Sequence, residues 1–419
     1  MSSSDGEHEQ EAQGLWKRLV HAQPVHVEPG VSHLSREFPR QDFRGFFNLV
    51  VLLLVVNLGR LIAENGSKYG LMVQPPWRHL AVADVTCALR LACALIMNIG
   101  LAYIMREASY AMLSGSFILG VVLPSFVVWH SGANPVVGML LLLMMLTVFL
   151  KLFSYMTVTA EIRALSLVDR KTLKRMYGSG TRTSFIYFLF APTLCYQEVY
   201  PREASAASKS YILKRLLGLG SSLAAIYAIF HQFTYPTLVN SLKSLEQRDM
   251  VLIGERILKL SLSSLFIWLI GFYALFHCWL NVLAELMGFA DRAFYRDWWN
   301  AGTFEEYWRN WNLPVHNWLK RHVYRPLRKR GYSFSFSSAL VFLLSAVAHE
   351  YIISIPLRVF HCWAFLAMIL QLPLVQVTRL YTHWFPRSSF GNMLFWVVFC
   401  IVGQPMGILL YYYSYNTKH

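Results

Sequence analysis

Acidic side chains are scarce in this chain, its cysteines come singly, and its opening stretch holds no apolar run. Each shortage removes a class of protein. Charged residues make up only 15% of the 419, while 55% are hydrophobic. Such a chain has too little polar surface to wrap two or three soluble domains, and its solvent is expected to be bilayer. The six cysteines, Cys87, Cys93, Cys195, Cys278, Cys362 and Cys400, lie in apolar stretches without Cys-x-x-Cys or Cys/His ligand spacing. They read as buried thiols, and neither a disulfide framework nor a zinc ribbon is predicted. The polar, initially acidic start offers no h-region for a cleavable signal peptide, so the first span is expected to act as the membrane signal. No internal repeat or low-complexity tract is visible.

What is present is a succession of apolar stretches at about 46–63, 86–105, 110–130, 135–158, 211–236, 257–288, 338–356, 360–378 and 391–413. Each is long enough to cross a hydrocarbon core of ~30 Å as a helix. The predicted fold class is therefore an all-α polytopic membrane protein with about nine transmembrane helices and its termini on opposite sides. Residues 1–44 mix Ser, Gln, Glu, His and Pro and are expected to form a flexible cytosolic arm, with the membrane domain running over 45–419. Phe185 to Cys195 is too short to span and contains Pro192, which predicts a re-entrant or interfacial segment.

Net charge is +15. In a soluble protein this would suggest nucleic acid; here the basic residues fall in two loops, which is a topology signal, and no nucleic-acid partner is expected. One loop carries Arg163, Arg170, Lys171, Lys174, Arg175 and Arg182; the other carries Lys320, Arg321, Arg325, Arg328, Lys329 and Arg330. The positive-inside rule makes the loops at about 160–210 and 289–337 cytosolic, the N-terminus cytosolic and the C-terminus luminal. Asn65-Gly66-Ser67 is a sequon on the luminal side, but it abuts a span.

The costly residues stand out against this background. His349-Glu350 lies within an apolar span, where ionisable groups face the bundle interior or a water-filled cavity. Ser345 is one turn from His349 on the same face, and Glu350 points about 100° away. Such a histidine is either satisfied by a neighbouring helix or a working group. Ile353 stands where a zinc protease helix would carry its second histidine, so no metal is expected. The set Trp298, Trp299, Trp308, Trp311 and Trp318 fits an interfacial aromatic belt. The interleaved Asn300, Asn310, Asn312 and His316 fit it less well, because amides beside an aromatic wall suit an acyl carbonyl. Gln371 and Gln404 are amides in apolar spans beside Pro373 and Pro405; they either bond carbonyls freed by proline or line a polar cavity.

At these residues the chain resembles a known family. Phe294-Tyr295-Arg296-Asp297-Trp298-Trp299-Asn300 and Ala348-His349-Glu350-Tyr351 resemble motifs of the membrane-bound O-acyltransferase superfamily. Asn312-Leu313-Pro314-Val315-His316, Ile355-Pro356-Leu357-Arg358, Gln371-Leu372-Pro373 and Gly403-Gln404-Pro405 are similar to its acyl-CoA:diacylglycerol branch. The resemblance runs from about Phe43 to the C-terminus. It implies helices around an internal reaction tunnel, an endoplasmic reticulum membrane location, and a homodimer or homotetramer. It also implies acyl-CoA as cosubstrate, without a further cofactor, and diacylglycerol drawn from the membrane lipids.

The same resemblance assigns roles. His349 would be the general base on the acceptor hydroxyl, and Asn300 would hold the thioester or its oxyanion. Trp299, Ser345, Glu350, Gln371 and Gln404 would contact substrate in the cavity, and Arg321, Tyr324 and Arg325 would meet the phosphates and nucleotide of CoA. Direct transfer is expected, since no activated cysteine or serine accompanies the histidine. A sterol or wax-alcohol acyltransferase is the neighbouring alternative, and a non-enzymatic lipid transporter the alternative from another class.

Overall fold

The computed structural model describes residues 29–33, 35, 42–63, 73–104, 110–166, 168–169, 171–172, 182–203, 207–385 and 388–418. The sequon, most of the predicted arm and several basic positions, including Arg170, Lys174 and Arg175, lie outside the described residues. The described chain is all helical, apart from an isolated bridge between Arg202 and Phe289. In chain order we label α1 Arg44–Ala63, α2 Val82–Ile104, α3 Met112–Ser131, α4 Pro135–Ala164 and the short α5 Arg182–Phe190. Two long helices follow, α6 Lys209–Glu246 and α7 Met250–Met287. Next come α8 Phe304–Trp311 and α9 Leu313–Leu319. The last three are α10 Phe334–Leu357, α11 Trp363–Trp384 and α12 Phe390–Lys418.

Eight of these are long and apolar enough to cross a membrane, and the 20-residue α1 makes a ninth helix of spanning length. The expected all-α polytopic membrane protein is what the chain forms. Phe185–Cys195 does not span: α5 covers nine residues and the chain beyond it turns back into the core.

The packing of α2 shows a buried stripe and an exposed one. On α2, Cys87, Leu91, Ala94, Asn98 and Ala102 are buried at steps of three and four, while Val82, Leu89, Ile96 and Ile104 are exposed on the opposite face. Alternate ends of the spans meet. Asp84 accepts the Asn134 N–H at 2.7 Å, and Lys418 Nζ donates to the Arg358 carbonyl at 2.5 Å and sits over the Trp129 ring. At the far end, Asn48 and the carbonyls of Trp299 and Ala301 share the amide of Asn392.

Prolines set the local irregularities. Widened π turns run over Ile118–Val122, Phe230–Thr234, Lys320–Tyr324 and Trp396–Gly403. Pro124, Pro236, Pro326 and Pro405 each stand two residues past such a turn. A proline cannot donate to the ladder and its ring crowds the preceding turn, which widening relieves. Tyr273–Trp279 widens without proline, and there Asn281 Nδ2 donates to the His277 carbonyl at 2.9 Å.

The aromatic connector between α7 and α10 is folded into the bundle. Tyr295, Trp298 and Tyr307 are 0% exposed, Trp299 2% and Trp318 8%. The belt reading therefore gives way for these residues. The rings of Tyr295 and Trp298 meet Trp268 and Phe272 of α7 face-to-edge, and Trp298 and Tyr307 meet Trp396 and Phe395 of α12 at a tilt, arrangements that add quadrupole attraction to area burial. The connector is the core against which the spans close.

Two glycines permit that closure. A Cβ at Gly45, in the first turn of α1, would lie 1.4 Å from the Trp299 carbonyl oxygen, and one at Gly391 would lie 2.0 Å from that of Gly302. Within the predicted arm, Pro29–His33 and Asp42–Phe43 are docked. Gly30 accepts the Arg292 N–H at 2.5 Å, and Ser32 donates to the Tyr295 hydroxyl at 2.9 Å.

Candidate active site

His349 lies half-buried on α10, with Nδ1 2.7 Å from the Ser345 carbonyl oxygen. A carbonyl only accepts, so Nδ1 carries the proton and Nε2 carries the lone pair. The bond to Ser345 is through the backbone, so that residue fixes the histidine tautomer. The edge of Trp308 meets the imidazole with centroids 6.3 Å apart. Trp308 Nε1–H in turn donates to Gln371 Oε1 at 2.6 Å. Three elements, α8, α10 and α11, thus converge on the histidine, and two predicted site residues, His349 and Gln371, are linked by a third that sequence reading had placed among the belt tryptophans.

The local sequence explains the convergence. Thr303 caps α8, its hydroxyl accepting the Glu306 N–H at 3.1 Å, so the eight-residue helix is held in a fixed register. That register turns Phe304 and Tyr307 into the core and leaves Trp308 half-buried toward α10. Helix α11 breaks at Leu370, and the following turn directs Gln371 inward, 7% exposed. Gln371 does not use a carbonyl freed by Pro373; its Oε1 accepts from Trp308, and its Nε2 has only Met368 Sδ at 3.9 Å. Gln404, beside the Trp396–Gly403 π turn, has a buried Oε1 without a hydrogen-bond partner. A buried acceptor left unmade is costly, and such groups mark places where a ligand or water completes the set.

Glu350 faces away from His349. Its carboxylate accepts from the Ser354 hydroxyl, from the Cys362 and Phe365 N–H groups at 3.1 Å each, and from the Tyr411 hydroxyl at 2.7 Å. All four acceptor positions are spent on joining α10, the start of α11 and α12, which makes Glu350 a positioning residue.

Asn300 and Trp299 belong to the start of α1. Asn300 Oδ1 accepts the Gly45 N–H at 2.5 Å, its Nδ2 donates to the Asp42 carbonyl at 2.6 Å, and Trp299 Nε1–H donates to the same carbonyl at 2.8 Å. Among the described residues no hydrogen bond or ring contact joins either to His349.

At the CoA-side positions the predicted cations separate. Arg321 is 1% exposed and donates to the Tyr196 carbonyl at 2.8 Å, so it ties the π turn to the segment after α5. Tyr324 stacks edge-on to Phe334 at 6.3 Å. Arg325 is half-buried near Cys195, whose thiol burial pushes up to about 11. The stronger electrostatic feature centres on His316, which the sequence reading had noted only for its contrast with the belt. Burial, then Lys320, Arg309 and Arg296, push His316 down to about 4. Lys320 is lowered as well, by burial and then by Arg325, Arg296 and Arg309. Arg296, Arg309 and Lys320 thus make the surroundings of His316 a positive basin.

Lys151 was likewise outside the predicted site. Its Nζ donates to the Phe188 and Ala191 carbonyls at 2.9 and 2.6 Å, capping the end of α5.

A histidine inside a bundle of membrane-length helices, near a held amide, marks the candidate site of a polytopic membrane protein. The chain belongs to the membrane-bound O-acyltransferase family, whose model matches residues 136–412. It is 38% identical over 414 residues to diacylglycerol O-acyltransferase 1C of Glycine max, covering 94% of this chain and 80% of that one. It is 38% identical over 415 residues to diacylglycerol O-acyltransferase 1 of Corylus americana, covering 94% and 76%. To diacylglycerol O-acyltransferase 1 of Bos taurus it is 36% identical over 405 residues, covering 89% and 81%.

Proposed function

We propose that this protein transfers an acyl group from acyl-CoA to the free hydroxyl of 1,2-diacylglycerol, releasing CoA and making triacylglycerol. The observation that carries the reading is His349: Nδ1–H is committed to Ser345, Nε2 has its lone pair available, and Trp308 and Gln371 stand beside it. The relatives' names supply the acceptor.

His349 Nε2 takes the proton of the acceptor hydroxyl as its oxygen attacks the thioester carbonyl carbon. The tetrahedral intermediate expels the thiolate of CoA, which takes that proton from the His349 imidazolium and restores the base. A thiolate whose acid has a pKa of ~8.5 is a competent leaving group. Trp308 occupies the oxygen of the Gln371 amide, which leaves Nε2–H to donate to the developing oxyanion, and the unpartnered Oε1 of Gln404 suits the acceptor hydroxyl or a bound water. Asn300 and Trp299 act one step removed, by clamping α1 to the connector that carries Trp308. The phosphates of CoA are assigned to the basin of Arg296, Lys320 and Arg325, with Arg321 and Tyr324 holding its wall. The reaction is direct, with acyl-CoA as cosubstrate entering a tunnel between the spans and diacylglycerol arriving from the bilayer. We place the enzyme in the endoplasmic reticulum membrane as a homodimer or homotetramer, N-terminus cytosolic and C-terminus luminal, on the distribution of basic residues and the family resemblance.

The test is a competition on one purified preparation with labelled acyl-CoA and diacylglycerol, cholesterol and a long-chain alcohol. Triacylglycerol forming in step with free CoA supports the reading. Label passing chiefly to cholesterol or the alcohol reassigns the acceptor, and lipid movement without CoA release makes the protein a transporter.

A further inference from the structure

Helix α8 has a second role that the acyl-transfer site does not use. It borders an open recess of about 620 Å³, flanked on the other side by the last turns of α11 and lined by Glu305, Glu306, Arg309, Gln376, Arg379 and His383 among others. One ion pair crosses it, Arg379 Nε to Glu305 at 3.5 Å, with both side chains close to half exposed. Glu306 accepts only the Gly302 N–H at 3.0 Å, and Arg309 is exposed without a hydrogen bond or ion pair among the described residues. The formal charges are two positive and two negative. A seat for a simple anion would show a positive excess, as the His316 basin does; balanced pairs suit a ligand that carries both signs.

The outer surface of α11 says where such a ligand comes from. Gln376, Arg379 and His383 follow one another at helical spacing along the cavity. Beside them Val377, Leu380 and Trp384 form a second stripe, exposed by 52, 59 and 72%. A charged recess next to a lipid-facing apolar stripe, at the end of a membrane-length helix, matches an amphiphile at headgroup depth.

We propose that this cavity seats the headgroup of a zwitterionic glycerophospholipid, phosphodiester against Arg309 and Arg379 and ammonium against Glu305 and Glu306, with its acyl chains along Val377, Leu380 and Trp384. The seat is coupled to the acyl-transfer site, because α8 and α11 carry Trp308 and Gln371 as well. A bound headgroup fixes the spacing of these helices and with it the Trp308–Gln371 hydrogen bond beside His349.

Native mass spectrometry of the full-length protein released from detergent tests the seat without any turnover. Probes are dioleoyl-phosphatidylethanolamine, dioleoyl-phosphatidylglycerol and soluble glycerophosphoethanolamine. The wild type is expected to retain the ethanolamine lipid at least ~10-fold better than the glycerol lipid, about 1.4 kcal/mol. The paired change Glu305→Gln with Arg379→Gln removes one charge of each sign, and Gln376→Trp fills the volume without altering charge. Each is expected to abolish that preference, and thermal melting shows whether the variant is folded; if one unfolds, the other decides. Equal retention of the two lipids by wild type, or an unchanged preference in a folded variant, overturns the proposal. Competition by glycerophosphoethanolamine at equal concentration also overturns it, by making the ligand a soluble phosphodiester. Coupling is read separately: the lipid-stripped wild type should lose about 5-fold in kcat with KM for acyl-CoA unchanged, restored by the ethanolamine lipid. Lipid retention without that restoration overturns the coupling, and loss of all acyl transfer with retention intact would overturn the acyltransferase reading and leave the seat standing.

Discussion

Trp308 Nε1–H donates to Gln371 Oε1 at 2.6 Å while the same ring sets its edge against His349. One indole therefore sets the orientation of a neighbouring amide and limits where the imidazole can lie. Trp308→Phe keeps a ring beside His349 and removes the donor. The Gln371 amide is then free to turn its oxygen toward the reacting carbonyl, where a donor is wanted. A buried hydrogen bond left unmade costs ~1–3 kcal/mol, so kcat should fall about 5- to 150-fold. KM for acyl-CoA should change little, since the basin around His316 is untouched. An unchanged kcat would make Trp308 a packing residue only.

His349→Ala removes the base while leaving Ser345, which gives only its carbonyl, in place. General base catalysis is worth 10²–10⁴-fold, and the loss should appear in kcat while the melting temperature stays near wild type. Wild-type turnover in the purified variant would refute the mechanism. His349→Gln is the sharper variant, because it restores polar volume without a group able to hold the proton.

The spans were legible because apolar length is a strong signal, and α2 shows why: its buried and exposed stripes each repeat at helical spacing. His349 was legible because an ionisable residue in an apolar span has few inexpensive explanations. Trp308 was not. In a list of five tryptophans, nothing in the spacing separates the buried Trp298 from the one that packs beside His349; that depends on the Thr303 cap that sets the register of α8. The setting of Arg321 was not legible for a related reason. A basic run looks uniform in sequence, yet the π turn after Leu319 rotates Arg321 inward to the Tyr196 carbonyl and leaves Lys320 near the surface. Asn300 was picked out by its motif, whereas the bonds of its amide to the first turn of α1 depend on the packing of that helix.

That first turn is the basis of a stability prediction. At Gly45 an added Cβ would fall 1.4 Å from the Trp299 carbonyl oxygen, a backbone atom that cannot swing aside. Gly45→Ala must push α1 off the connector and break the bonds that Asn300 and Trp299 make to Asp42 and Gly45. Overpacking of this kind typically costs ~1–3 kcal/mol or more. A lowered melting temperature and faster proteolysis near residues 42–45 are expected, with activity lost in proportion to the folded fraction. A melting curve equal to wild type would mean that α1 docks differently.

His316 supplies a prediction in pH. Its folded-state pKa is pushed down to about 4, against about 6.5 for an exposed imidazole, by burial first and then by Lys320, Arg309 and Arg296. The sign follows from linkage. Above 6.5 both states are neutral and stability is independent of this group; between 6.5 and about 4 the unfolded chain binds a proton that the folded chain refuses, so stability falls as pH falls. His316→Gln removes that contribution, and its stability should decline less than wild type across this window while matching it above pH 7. Bound CoA should have the opposite effect on the wild type, since phosphates in the basin offset the three cations and raise the His316 pKa. The wild type with CoA should then lose less stability between pH 6.5 and 4 than the wild type alone. Urea titrations at pH 7.5, 6, 5 and 4.5, with and without CoA, measure both differences. If CoA left the wild-type slope unchanged, the phosphates would have to be seated elsewhere.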